Sequence, residues 1–249
     1  MDIVIYLVQY DTIIILVLIT LVLITILLVI TILFLQPRWV LFLATKIAPG
    51  VVYYADVEEP VIALTIDDGV DNIFTPQILE ILDRYQANAT FFLISSTVPG
   101  NESLTRSIAP LGHEIGNHLT EDKFSITLSP TEFESALVEA DKILSTFDKL
   151  RWLRPGGGWY NSTMVNIAHR YNYRVALGSI FPYDTHIPFS WFAYWQILTN
   201  ARPGSIIVLH DGGERGATTV STLTSILPQL QRKGYRIVTL SELFKSIKK

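Results

Sequence analysis

The chain has 249 residues, a net charge of −4 and no cysteine. Disulfides and thiolate metal sites are therefore excluded. The mildly acidic balance, with no basic cluster before the last five residues, argues against nucleic acid as a partner.

Taken in chain order, the first feature is an uncharged run from Thr12 to Pro37, TIIILVLITLVLITILLVITILFLQP. As a helix it spans roughly 30 Å of hydrocarbon. It is too long for the apolar part of a cleavable signal, and no small-residue cleavage site follows. Residues 1–37 are therefore expected to form a tail and a single membrane anchor, with the lipid bilayer as partner of residues 12–37. Arg38 and Lys46 follow the run and no Lys or Arg precedes it, a charge bias that places the rest of the chain in the cytoplasm.

Residues 38–50 read as a connector. From residue 51 to 249 apolar strand-like runs alternate with helical segments. The expected strands are VIALTI, ATFFLI, HEIGN, RWLRP, YRVALG, SIIVLH and YRIVTL. An earlier run, VVYYA, is expected to pair with VIALTI as a hairpin through DVEEP. The helices are expected at TPQILEILDRYQ, ESLTRSIAPL, SPTEFESALVEADKILSTF, NSTMVNIAHRY, WFAYWQILTNA and VSTLTSILPQLQRKG. Ser129, Pro130 and Glu132 form a capping-box signature, Asn161 reads as a helix cap, and Gly234 as a helix stop. Alternating strands and helices imply parallel strands with right-handed crossovers, in a barrel related to the TIM type or an open doubly wound sheet.

In such folds the chemistry gathers at the C-terminal ends of the strands. Five of those ends carry Asp, His or Arg: Asp67 and Asp68; Asn117, His118 and, four residues on, Asp122; Arg154 before a triple glycine; Asp184; and His210 with Asp211. Adjacent carboxylates at the end of a buried strand make sense where a cation relieves their repulsion and one of them is left to face a substrate.

The motifs TIDDG, GHEIGNH, LRPGGG and IIVLHDG, in this order and with ATFFL and GYRIVTLSEL, resemble the polysaccharide deacetylases of carbohydrate esterase family four, the group with the NodB-homology domain. The resemblance covers roughly residues 61–244. It implies an α/β fold, a distorted (β/α) barrel of the NodB-homology type behind the transmembrane helix, and metal-dependent removal of N-acetyl groups from chitin, chitooligosaccharide or peptidoglycan. By resemblance Asp67 is the general base, Arg154 orients it, and His210 is the general acid, with Asp184 tuning His210. Asp68 and His118 ligate a divalent metal, zinc foremost, with cobalt, manganese or magnesium as alternatives. Leu209 lines the acetyl pocket. The function so implied places the domain outside the cytoplasm, against the charge bias.

The chain departs from the family pattern in three places. Asp122 stands where a second histidine ligand is usual, and as an oxygen donor it would complete an Asp68–His118–Asp122 site. FPYDT keeps only Asp184 of the usual Asp-x-x-Asp-Trp. Gly157 replaces the customary tyrosine, and Trp159 and Tyr160 are expected to offer a sugar-stacking surface beside it. A carbohydrate-binding pseudoenzyme and a hydrolase of non-sugar amides on the same fold are the alternatives. His113 is expected to make a structural hydrogen bond and His169 to be a surface or packing residue, and WFAYW, on a helix, reads as core before it reads as a sugar platform.

Overall fold

The structure is a computed structural model that describes residues 2–47 and 49–245. It opens with one long helix, α1 (Asp2–Leu35). Its segment Ile13–Leu35 is 23 residues long and uncharged, and its most apolar stretch has no buried residue. The hydroxyls of Thr20, Thr25 and Thr31 each donate to the carbonyl four residues earlier, which satisfies the only polar side chains among those residues. A break at Gln36 and Pro37 leads into α2 (Arg38–Ile47), so the expected connector is largely helical.

The remainder runs β1 (Val51–Val52), β2 (Val61–Asp68), α3 (Phe74–Arg84), β3 (Ala89–Leu93), α4 (Glu102–Ile108), β4 (Glu114–Asn117), α5 (Pro130–Leu144), β5 (Trp152–Leu153), α6 (Ser162–Arg170), β6 (Arg174–Ala176), α7 (Ser190–Asn200), β7 (Ile206–His210), α8 (Arg215–Arg232), β8 (Arg236–Val238) and α9 (Leu240–Lys245). Every strand pairing is parallel, in the order β1-β6-β5-β4-β3-β2-β7, with β8 on the start of β2. The sheet curls until the segment after β6 reaches β7 through a bridge between Ile180 and Ile207. Of the two architectures left open by the alternation of elements it is the barrel, in the distorted form that the family resemblance implies.

The hairpin expectation fails. Val51 and Val52 pair in parallel with Val175 and Ala176 of β6, not with β2. Tyr53 is buried, and Ala55 N–H donates to Gly204 O, so this segment is a wall of the barrel.

β2 is buried along all eight residues because β3, β7 and β8 flank it and helices cover it. Its core residues Ile62, Leu64 and Ile66 pack with Ile78 and Leu82 of α3 and with Leu223, Ile226 and Leu227 of α8. The helix signals hold. The Ser129–Glu132 capping box forms in both directions, Asn161 Oδ1 accepts from Met164 N–H, and Gly234 takes a left-handed φ of 85° just past α8.

Candidate active site

The C-terminal ends of β2, β4, β5 and β7 bring Asp67, Asp68, His118, Arg154 and His210 to one end of the barrel. Asp67 and His210 are register partners on adjacent strands. Each forms one half of a distinct charged pair.

The first pair joins Arg154 to Asp67. Arg154 Nη1 donates to Asp67 Oδ1 at 2.5 Å and to Thr65 Oγ1 at 2.7 Å. Nε donates to Ala176 O at 3.1 Å, and Nη2 to Leu177 O. The Phe92 ring closes one face of the guanidinium, 4.2 Å away. Both side chains are nearly fully buried, so the charges exist only by mutual compensation.

The second pair joins His210 to Asp184. His210 Nδ1 lies 3.0 Å from Asp184 Oδ2, and the His210 backbone N–H donates to the same oxygen at 2.9 Å. Nδ1 therefore carries its proton toward the carboxylate, and Nε2 is the free end of the ring. Burial opposes the charged imidazole, but the carboxylates of Asp184, Asp67 and Asp68 outweigh it and lift the His210 pKa to about 9. At neutral pH His210 is an imidazolium.

His118 donates from Nδ1 to Arg154 O at 2.7 Å, which turns Nε2 toward Asp68 Oδ1, 3.5 Å away. Burial alone would lower its pKa; Asp68 and Asp67 more than reverse this. Burial likewise works against the charged Asp68, yet His118, His210 and Arg215 hold its pKa down to about 2. A ring fixed by a backbone carbonyl, with its second nitrogen on a carboxylate, has the form of a metal-ligating histidine.

The third expected ligand does not join them. Asp122 is exposed, and its Oδ2 accepts from Arg215 Nη2 at 2.9 Å, while Nη1 of the same guanidinium donates to Asp68 Oδ2. Among the described residues no three His, Asp or Glu side chains converge as a metal site. The donor types of Asp68, His118 and Asp122 suit a divalent cation, but their arrangement does not, because an arginine is the cation both carboxylates hold. Arg215 was not legible in the sequence as a site residue: it follows a Gly-Gly turn at the start of α8 and reads there as an ordinary exposed charge.

Asp211 is the other residue without an assigned role. It is fully buried behind the DDG turn, and its carboxylate accepts from the Thr75 hydroxyl. Burial, with Asp68 and Asp71 adding to it, pushes its pKa up to about 7. The glycine of DDG is explained by this neighbour: a Cβ on Gly69 would lie 2.5 Å from Asp211 Oδ1.

The backbone is held in the left-handed region at Asp68 (φ 81°), Leu119 (φ 66°) and Tyr183 (φ 60°), each a site residue or the neighbour of one. Such positions cost about 1–3 kcal/mol each and persist where packing dictates them.

The expected substrate contacts divide. Trp159 is well exposed beside the triple glycine, and Tyr160 is held through its hydroxyl by Tyr53. Gly157 takes a φ of 67° with the Phe124 ring against it. The amides of Gly156 and Gly158 are engaged by Ser125 Oγ and Pro155 O. Leu209 is fully buried in the core and presents no surface to a cleft, because it alternates with His210 along β7. His113 accepts from Ala89 N–H and is structural, as expected. His186 faces solvent with Thr185.

A curled parallel barrel with a buried carboxylate–guanidinium pair and an imidazole–carboxylate pair at the same end of its strands defines a hydrolase-type site of the NodB-homology class. Residues 54–176 match the family described as Polysaccharide deacetylase. The chain is 37% identical over 190 residues to a peptidoglycan-N-acetylglucosamine deacetylase of Bacillus cereus, covering 75% of this chain and 89% of the relative. The solved structure of an acetyl xylan esterase of carbohydrate esterase family four from Clostridium thermocellum, in complex with a cobalt ion, aligns at 29% identity and a TM-score of 0.68, over 74% of this chain and 90% of that one. BA3943 of Bacillus anthracis, described as a pseudoenzyme of the same family, aligns at 25% identity and a TM-score of 0.73, over 79% and 69%. The chain belongs to the polysaccharide deacetylase family, carbohydrate esterase family four.

Proposed function

We propose that the protein is a membrane-anchored deacetylase that hydrolyses N-acetyl groups of an amino-sugar polymer or oligomer of the peptidoglycan or chitin type. The observation that carries this is the juxtaposition of Asp67 and His210, register partners on β2 and β7, each with its own orienting partner.

The chemistry needs a proton acceptor for the attacking water and a proton donor for the departing nitrogen. Asp67, steered by Arg154, takes a proton from water as its oxygen adds to the acetyl carbon. His210, charged at neutral pH, gives its proton from Nε2 to the nitrogen as the C–N bond breaks. Acetate and a free amine leave, and the proton held on Asp67 returns to His210 through solvent. Gly157 and the exposed ring of Trp159, in the segment that follows Arg154, are the sugar-binding side in this reading.

The fold family's cofactor, a divalent metal such as zinc, cobalt, manganese or magnesium, would meet Asp68 and His118 here. It would supply an activated water and a polarised carbonyl, while the Arg215 bridge withholds Asp122 from it. Ile13–Leu35 is long and apolar enough to anchor the chain in a bilayer, with the domain outside the cytoplasm, where such polymers lie.

The test is acetate release from chitooligosaccharide and from peptidoglycan by the full chain in detergent, with and without each metal, against Asp67→Asn. Release by the wild type that the variant lacks supports the proposal. A second reading, a sugar-binding pseudoenzyme, is favoured by the Asp68–Arg215–Asp122 bridge. Saccharide binding without release under any metal selects it.

A further inference from the structure

The end of the apolar helix is fastened to the catalytic domain rather than tethered to it. The Gln36 side chain makes both hydrogen bonds that the Phe181 backbone offers: Nε2 to Phe181 O at 2.7 Å, and Phe181 N–H to Oε1 at 2.9 Å. Tyr183 Oη donates to Leu33 O at 2.9 Å and Asn200 Nδ2 to Phe34 O at 3.0 Å, so the domain caps carbonyls that the helix terminus leaves open. The Phe34 ring packs on Phe192 and Trp195 of α7, with centroids 6.0 and 6.1 Å apart. Beyond the break, Arg38 donates to Pro203 O and Ser205 Oγ and lies over the Tyr54 ring.

Around this junction the protein exposes large apolar side chains in two helical stripes. On α7 these are Trp191 and Trp195, with Phe189 stacked on Trp191. On α2 they are Trp39, Phe42 and Leu43, spaced three and four apart on one face. The core expectation for WFAYW thus holds for Phe192 and Ala193 but not for its two tryptophans. Aromatic side chains concentrated where an apolar span ends occupy the headgroup layer of a bilayer, and a short amphipathic helix beside them lies in the same plane.

We infer that α2 and the aromatic face of α7 rest in the phospholipid headgroup layer, so that the domain is docked flat on the membrane it is anchored in. This rests on the anchor proposed above; continuity of Phe34, in the last turn of the span, with Trp195 names the bilayer as the occupant. The docking reaches the site itself. Tyr183, bonded to the helix end, immediately precedes Asp184, the partner of His210. The acid side of the site is therefore held at the lipid surface, and the acetylated sugars it meets are those presented there.

The experiment uses the full chain in phosphatidylcholine–phosphatidylglycerol vesicles whose acyl chains are brominated near the headgroup. Two variants each keep the buried Trp152 and one surface tryptophan, Trp191 or Trp159, with the others changed to Phe. At least twofold stronger bromine quenching in the Trp191 chain is expected. Equal quenching, in chains that stay with the vesicles through an alkaline carbonate wash, overturns the docking and leaves the anchor standing. Chains washed off by carbonate overturn both. Neither readout depends on deacetylation.

Discussion

Arg154 donates to Asp67 Oδ1 at 2.5 Å while its other nitrogens are fixed by the backbone carbonyls of Ala176 and Leu177. The pair sets the direction in which the second oxygen of Asp67 points. Asp67→Asn keeps the shape and removes the proton acceptor. Acetate release is expected to fall about 10²–10⁴-fold, with binding of a chitooligosaccharide, measured calorimetrically, unchanged. Arg154→Met strands a buried carboxylate and is expected to destabilise the fold by about 3–5 kcal/mol, read as a lowered denaturation midpoint.

Asp184 raises the His210 pKa against the cost of burial. An acid catalyst must be protonated, so activity is present below the pKa and lost as pH rises through about 9. Asp184→Asn removes the largest favourable charge. The alkaline limb of the pH–rate profile is expected to move toward acid by about 1–3 units. An unmoved limb would show that His210 is not the group that titrates there.

Arg215 occupies the two carboxylates, Asp68 and Asp122, that the proposed divalent cation would need. Arg215→Met, at a half-exposed helix start, frees Asp68 and Asp122. Zinc or cobalt affinity by calorimetry is expected to rise at least about tenfold, equivalent to about 1.4 kcal/mol. Asp122→His, which arginine does not pair with, is expected to act in the same direction. Equal affinity in wild type and both variants would show that the bridge does not hinder a metal.

Gly69 faces the Asp211 carboxylate, where a Cβ would sit 2.5 Å from Oδ1. Gly69→Ala is expected to cost about 1–3 kcal/mol through overpacking, seen as a thermal midpoint lowered by several degrees. Combining it with Asp211→Ala removes the struck atoms, and the two losses are expected to sum to less than their separate values.

The strands and their chemistry were legible because each apolar run ends abruptly in a polar residue, as with Asp67, His118 and His210. The helices were legible from periodicity and caps, Ser129 and Asn161 among them. Three things were not. The pairing of Val51 with Val175 joins distant segments, and nothing local at VVYYA distinguishes it from a hairpin. The inward face of Leu209 follows from the register that puts His210 outward, which requires knowing which neighbour sits on each side. The capture of Asp122 by Arg215 joins the loop after β4 to the start of α8, and a spacing of four residues from His118 says nothing of an arginine arriving from elsewhere.

Gly156 has its α-carbon so near the Lys123 carbonyl that an added Cβ would lie 2.1 Å from that oxygen, and its amide donates to Ser125 Oγ at 2.7 Å. Two main chains thus touch directly beside residue 122. The bracket carrying that residue is set by a glycine that no other residue can replace and by the Ser125 hydroxyl. Residue 122 itself is exposed and takes no part in that contact, so imidazole can replace carboxylate there and change the charge of this corner while the packing that seats the loop stays as it is.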